Sequence, residues 1–364
     1  MGPGPSNVDP RVTAALAAPI VGHLDPYFLK VMEETMHNLR LVFRTKHHHT
    51  IPMSGSGSAG LETIMLNLLE PGDEAVVGTF GYFGERFAEI ARRAGATVRV
   101  IEAPLGDVIA PERFEQELRR KPAKLVAVVH GETSTGALQP VQELADIAHR
   151  HGALMAIDCV ATLGGFPVEI DEWGIDAAGS CSQKCIGSPP GLGPVTFGPR
   201  AMEAVRARRT RPTTWYFDLS TLFQYWGEAG GAKERVFHHT APISAIYGFH
   251  EALRLVLEEG LEARWTRHRA AHDRFSKGLE RLGLTLYTPA AHRMPQLSVI
   301  NIPPGVDGTR VRRRLLDLGI EIAGGFGPLK DKTWRVGLMG YNARPEPVDR
   351  LLGALEQVLR QERD

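Results

Sequence analysis

Ala153-Leu154-Met155-Ala156-Ile157 is a short apolar run closed by Asp158, and farther along Asp176-Ala177-Ala178-Gly179-Ser180-Cys181 leads into Ser182-Gln183-Lys184. Runs this short and this continuously apolar read as strands buried on both faces, the habit of parallel sheets. Similar runs lie at residues 74–77, 97–101, 124–129 and 194–197, with helical stretches between them. That alternation predicts βαβ units and an α/β fold around a mainly parallel sheet. In such sheets ligands sit beyond the carboxyl ends of the strands, where Asp158 and Lys184 fall.

Beyond this region, Leu261, Trp265, His268, His272, Phe275, Leu279 and Leu282 are spaced four and three apart, one apolar stripe of a long helix. It is followed by a strand-like run at 296–302, a Pro303-Pro304-Gly305 turn, a helix, and a second strand at 333–338. These make a compact C-terminal α/β unit. A chain of 364 residues exceeds the roughly 250–300 at which single cores stop growing, so two unequal domains are expected.

Lys plus Arg and Asp plus Glu both number 42, which leaves no long-range field to attract nucleic acid or an anionic membrane. The basic clusters at 206–211 and 312–314 are read as solvated helix faces. No apolar run approaches the roughly 20 residues of a membrane span, and Met1-Gly2-Pro3-Gly4-Pro5 has no signal-peptide pattern. Three cysteines, Cys159, Cys181 and Cys185, leave at least one free thiol, which suits a reducing compartment. The consecutive His47-His48-His49 point in different directions on any regular element and lack an acidic or cysteine partner, so no metal is expected. His130 reads as a satisfied loop histidine.

Ser54-Gly55-Ser56-Gly57-Ser58-Ala59-Gly60 runs into an apolar helix. Free backbone N–H groups and the positive end of the helix would receive a phosphate there, although a flexible Gly/Ser connector has the same composition. Asp158 needs a cation or donor if it is ionised at a buried strand end. Lys184, flanked by small residues, has room to face a cavity, yet a strand cap and a surface lysine explain either residue alone. Together, carboxylate, amine and helix start supply the three anchors of pyridoxal 5′-phosphate: pyridine nitrogen, aldehyde carbon and phosphate.

The chain resembles the class V, fold-type I aminotransferases, in particular alanine–glyoxylate and serine–glyoxylate aminotransferases. The resemblance rests on Gly2-Pro3-Gly4-Pro5-Ser6-Asn7, the Ser-Gly-Ser-Gly loop, residues 130–136, Asp158-Cys159-Val160-Ala161, Ser182-Gln183-Lys184, His238-His239-Thr240 and Trp334-Arg335-Val336-Gly337. It implies a large cofactor domain with a seven-stranded sheet over residues 16–257, after an N-terminal segment, 1–15, at the active-site mouth. A small domain would cover 258–364. It implies that Lys184 carries pyridoxal phosphate as a Schiff base and that Asp158 pairs with its ring nitrogen. Ser56, Gly57, Ser58 and Gln183 would hold the phosphate, Thr133 the phenolic side, and Phe83 would stack on the ring. Thr240 would reach the phosphate of the neighbouring subunit, so a homodimer with shared sites is expected. Arg335 matches the arginine that clamps a substrate carboxylate with its planar fork.

Gly4, His23 and Phe237 complete the expected substrate surface. Phe237 stands where eukaryotic relatives have tyrosine, which removes a phenol hydrogen bond of about 0.5–1.5 kcal/mol. The implied activity moves an amino group from alanine or serine to glyoxylate. A ureidoglycine donor is the alternative, because Asp171-Glu172-Trp173-Gly174-Ile175-Asp176 and residues 334–341 also look like that branch. A cysteine desulfurase needs an exposed nucleophilic cysteine on a mobile loop, which none of the three positions suits. Peroxisomal relatives end in a short basic-leucine signal that this chain lacks, so cytoplasm is expected.

Overall fold

The computed structural model describes residues 1–227 and 235–362. In chain order its strands are His49–Ser54 (β1), Glu74–Thr79 (β2), Thr97–Glu102 (β3), Leu125–Val129 (β4), Gly131–Glu132 (β5), Ala137–Leu138 (β6), Leu154–Asp158 (β7), Ala177–Gly179 (β8), Leu192–Phe197 (β9), Leu297–Asn301 (β10), Ala323–Gly324 (β11) and Thr333–Gly337 (β12). Seven form one sheet in the order β1-β9-β8-β7-β4-β2-β3, and only β9 runs against its neighbours. The mainly parallel α/β sheet expected from the apolar runs is therefore present. β4, β7, β8 and β9 are buried at every residue, as strands covered by helices on both faces must be.

β1 is the strand the sequence did not disclose. Pro52 interrupts it and faces Pro194 of β9 across the ladder, an arrangement tolerated because β1 is an edge strand. The first four helices are Pro10–Leu16 (α1), Pro26–Val42 (α2), Gly57–Leu68 (α3) and Tyr82–Arg93 (α4). Asp25 caps α2 by accepting the Tyr27 N–H at 2.8 Å, and Pro26 presets the first-turn φ. The residues before α3 and α4, Ser56 and Gly81, supply no side-chain cap of their own, which leaves the first-turn N–H groups to other partners.

The long helix Leu261–Arg281 links two apolar clusters: Leu261 belongs to the core around the large sheet, whereas Ala271, Phe275 and Leu279 belong to a second core. That second core lies under the antiparallel sheet β10-β12-β11 and the helices Gly308–Asp317 and Pro345–Gln361. One expectation is corrected. Helix Pro199–Arg206 ends before most of the basic cluster, and Arg208 is not on a solvated face. Half-buried, it donates to the Asn67 and Leu69 carbonyls at 2.9 and 2.7 Å, satisfying the open C-terminus of α3. The three cysteines are free and buried. Among the described residues no helix is long and apolar enough to cross a membrane.

Candidate functional site

At the carboxyl ends of β4 and β7 the chain turns into the ribbon β5–β6 and into the loop after Asp158. A cavity of about 230 Å³ opens there, lined by Gly4, Ser56, Gly57, Ser58, Phe83, Arg86, Gly131, Thr133, Asp158, Val160, Cys181, Gln183 and Lys184. Nine of the residues singled out from the sequence thus face one space. They come from the N-terminal segment, α3, α4, the ribbon and the ends of β7 and β8.

Asp158 is buried, and its Oδ1 accepts the Val160 N–H at 2.8 Å. Burial pushes its carboxyl up to about 6, and the nearby charges of Arg86 and Lys184 pull against that. A carboxylate held this dry calls for a cation beside it. Lys184 is the complement: burial lowers its pKa, and its Nζ donates to the Pro3 carbonyl. Gly4 has φ +107°, and a Cβ there would lie 2.8 Å from the lysine Cε and Nζ. Only glycine lets the N-terminal segment cross the amine so closely. The segment is stitched in place by Ser6 N–H to Gln183 O at 2.9 Å, Ser6 Oγ to Lys184 O at 2.8 Å and Gly337 N–H to Met1 O at 2.9 Å.

The start of α3 makes the anion-binding wall. A Cβ on Gly57 would come within 2.8 Å of Cys181 Cβ and 3.2 Å of Ser180 O, so glycine allows the helix to begin against the loop that carries Lys184. Gln183 Oε1 points into this region buried and without a hydrogen-bond partner among the described residues. Open N–H groups and hydroxyls for a phosphate, a dry carboxylate for a ring nitrogen and a lysine amine for an aldehyde form a set that fits a phosphorylated pyridine aldehyde.

Two residues missed by the sequence reading organise the opposite wall. Glu132 is fully buried; its Oε2 accepts the Phe83 and Gly84 N–H groups at 2.9 and 3.1 Å, and its Oε1 accepts Ser134 N–H and Oγ at 2.9 and 2.6 Å. It thereby supplies the missing cap of α4 and fixes Phe83. Arg86, three positions after Phe83 on the same helix face, lies 4.7 Å over the Phe83 ring and donates to Ser58 Oγ at 3.1 Å. The buried Glu in the His-Gly-Glu-Thr turn was the available signal for the first. None marked the second.

Arg335, on β12, reaches across from the second core. Its Nη1 donates to Thr133 O at 3.2 Å and its Nε to Gly324 O at 2.8 Å, while the Phe326 ring lies 4.1 Å from the guanidinium carbon. Burial lowers it to about 10, against the pull of Glu132. Its Nη2 has no hydrogen-bond partner among the described residues. His130 is neutral, held near 3 by burial, with Nδ1 3.0 Å from Thr162 Oγ1. It does not line the cavity around Lys184.

Three expected site residues lie elsewhere on this chain. Thr240 and Phe237 are exposed, and His23 packs against Phe237 with ring centroids 5.1 Å apart. Beside them His239 faces Ser54 Oγ at 2.9 Å. None of the three lines the cavity around Lys184.

The chain matches the family profile described as "Aminotransferase class-V" over residues 13–351. It is 41% identical to the (S)-ureidoglycine–glyoxylate transaminase of Bacillus subtilis, covering 99% of this chain and 90% of that protein. It is 40% identical to the alanine–glyoxylate aminotransferase of Mus musculus, covering 99% and 87%. The crystal structure of an alanine–glyoxylate aminotransferase from Nostoc sp. superposes with a TM-score of 0.96 at 46% identity, over 99% of this chain and 94% of that one.

Proposed function

The chain belongs to the class V aminotransferase family, and on that premise we propose that it uses pyridoxal 5′-phosphate to move the amino group of alanine or serine to glyoxylate. One observation carries the reading: a dry carboxylate and a deprotonation-prone lysine share a cavity with an uncapped helix start and lie beside an arginine fork. The cofactor supplies an aldehyde carbon for the amine and a ring that takes up the electron pair left when Cα loses its proton.

The protein's own groups do the rest. Lys184 Nζ, leaving Pro3 O, would hold the cofactor and then carry the Cα proton, for which an amine of lowered pKa is suited. Asp158 would stay ionised against the ring nitrogen. Ser56, Gly57, Ser58 and Gln183 would bind the phosphate, and Phe83 and Thr133 would flank the ring. Arg335 would grip the substrate carboxylate while Gly4 walls the mouth. The donor leaves as its 2-oxo acid before glyoxylate leaves as glycine, so ping-pong kinetics follow.

A ureidoglycine donor is the second reading, favoured by the comparable identity to the Bacillus subtilis transaminase. Phe237 and His23, in mutual contact, are the residues to choose between donors. Turnover of alanine, serine and ureidoglycine with glyoxylate tests both readings. Lys184→Ala should abolish transfer, and no turnover with any donor overturns the assignment. The exposed Thr240 and Phe237 support a homodimer in which each chain completes its partner's phosphate site. The two cores support a division of the chain into a larger and a smaller unit, with the changeover inside the helix Leu261–Arg281 between Leu261 and Ala271, and buried free thiols support a reducing, cytoplasmic setting.

A further inference from the structure

We propose that Arg86 is a positioning residue for the cofactor's phosphate, acting by turning the Ser58 hydroxyl into an obligate donor toward that anion. The inference rests on the pyridoxal phosphate reading and adds to it a residue that neither the sequence motifs nor the lysine–aspartate pair points to. Arg86 Nη1 donates to Ser58 Oγ at 3.1 Å, and a guanidinium can only donate. A serine oxygen that accepts from it has one proton left to place. No acceptor for that proton exists among the described residues, so it is free for an incoming oxygen. Ser58 is in the first turn of α3, where an anion is favoured by the open N–H groups.

Several contacts hold Arg86 in that role. Its guanidinium rests on the Phe83 ring at 4.7 Å, and Phe83 is itself fixed by the Glu132 hydrogen bond to its N–H. Its Nε is buried without a partner, so the side chain is not spent on another ion pair. The group lines the same cavity as Ser56, Gly57 and Gln183, and its charge acts on Asp158 across it. Arg86 therefore ties the stacking ring to the phosphate wall through one planar cation.

The test compares two ligands that share ring and aldehyde but differ in the phosphate. Cofactor-free protein is titrated with pyridoxal phosphate and, separately, with pyridoxal, and imine absorbance is followed. Arg86→Met, which keeps packing on Phe83, should weaken pyridoxal phosphate about 10- to 100-fold, the range for a hydrogen bond to a charged group. Pyridoxal should change by less than about threefold on the same scale. Ser58→Ala, which leaves the Phe83 contact intact, should reproduce the loss, and adding R86M to S58A should cost less than about threefold more. Arg86→Lys should recover part of the affinity. Equal losses for both ligands, no loss, or a full further loss in the S58A background would each overturn the proposal. If wild-type protein takes up neither ligand, the cofactor reading falls as well; if it binds pyridoxal phosphate and R86M is unchanged, only the role of Arg86 falls.

Discussion

Asp158 shows how a single residue carries both a cost and a function. Its ordinary value is near 3.8 and its folded value about 6. A carboxyl raised on folding favours the folded state while protonated, and that benefit is lost as pH rises from about 4 through 6. The difference corresponds to up to about 3 kcal/mol in the cofactor-free chain. A cationic ring nitrogen would reverse the sign. Asp158→Asn should therefore raise the melting temperature of cofactor-free protein at pH 7.5, leave it nearly unchanged at pH 4, and weaken pyridoxal phosphate binding at neutral pH. Melting curves at the two pH values, with and without cofactor, check this; a destabilised D158N at pH 7.5 contradicts the account. Asp158 and Lys184 were legible because each ends an apolar run, which fixes its place in a sheet before any contact is known. Glu132 and Arg86 were not, since their partners are tertiary: Glu132 accepts from Phe83, 49 positions away.

At the scale of elements, legibility followed pattern. Continuous apolar strands and the four-three stripe of the helix Leu261–Arg281 announced themselves, whereas β1 was hidden by Pro52 and by the histidine run in front of it. The stripe also concealed something. Arg264, off the apolar positions, is buried and donates to Gly164 O and Cys185 O at 2.9 and 2.6 Å, pinning the loop that follows Lys184. The junction of α3 with that same loop yields the sharper prediction. Alanine is the better helix former by about 1 kcal/mol, which argues for stabilisation by Gly57→Ala. Against it stands the 2.8 Å approach to Cys181 Cβ and the 3.2 Å approach to Ser180 O, neither of which is a flexible chain end. Overpacking of this kind costs about 1–3 kcal/mol, so the steric effect wins. G57A should unfold at lower urea concentration and lose cofactor affinity together, because the wedge parts the phosphate wall from the lysine. A variant as stable as wild type with unchanged affinity excludes the close junction.

The whole molecule places its site where chain segments distant in sequence converge. Met1 pairs with Gly337, and Arg335 of the second core reaches Thr133 of the first. Length led to the expectation of two domains, and the resemblance to that of an N-terminal segment at the active-site mouth; the partners that hold this segment, Gln183, Lys184 and Gly337, were not legible, since nothing in its Gly-Pro pattern specifies them. Trp215, stacked on His238, and Phe237, 63% and 56% exposed, give the surface near Thr240 an apolar character at odds with a solvated face. A second copy of the chain covering that surface would bring Thr240 to the partner's phosphate. Subunit mixing tests it. Chains carrying Lys184→Ala and chains carrying Thr240→Ala are co-refolded at a cofactor concentration that leaves the T240A homodimer mostly empty. In a mixed dimer one site has both defects and the other has neither, because the intact lysine of one chain meets the intact threonine of the other. Activity should therefore exceed the sum of the two homodimers, with about half of randomly paired dimers carrying one full site. If Thr240 instead served its own chain's lysine, every site in the mixture would carry one defect, and activity would equal the sum.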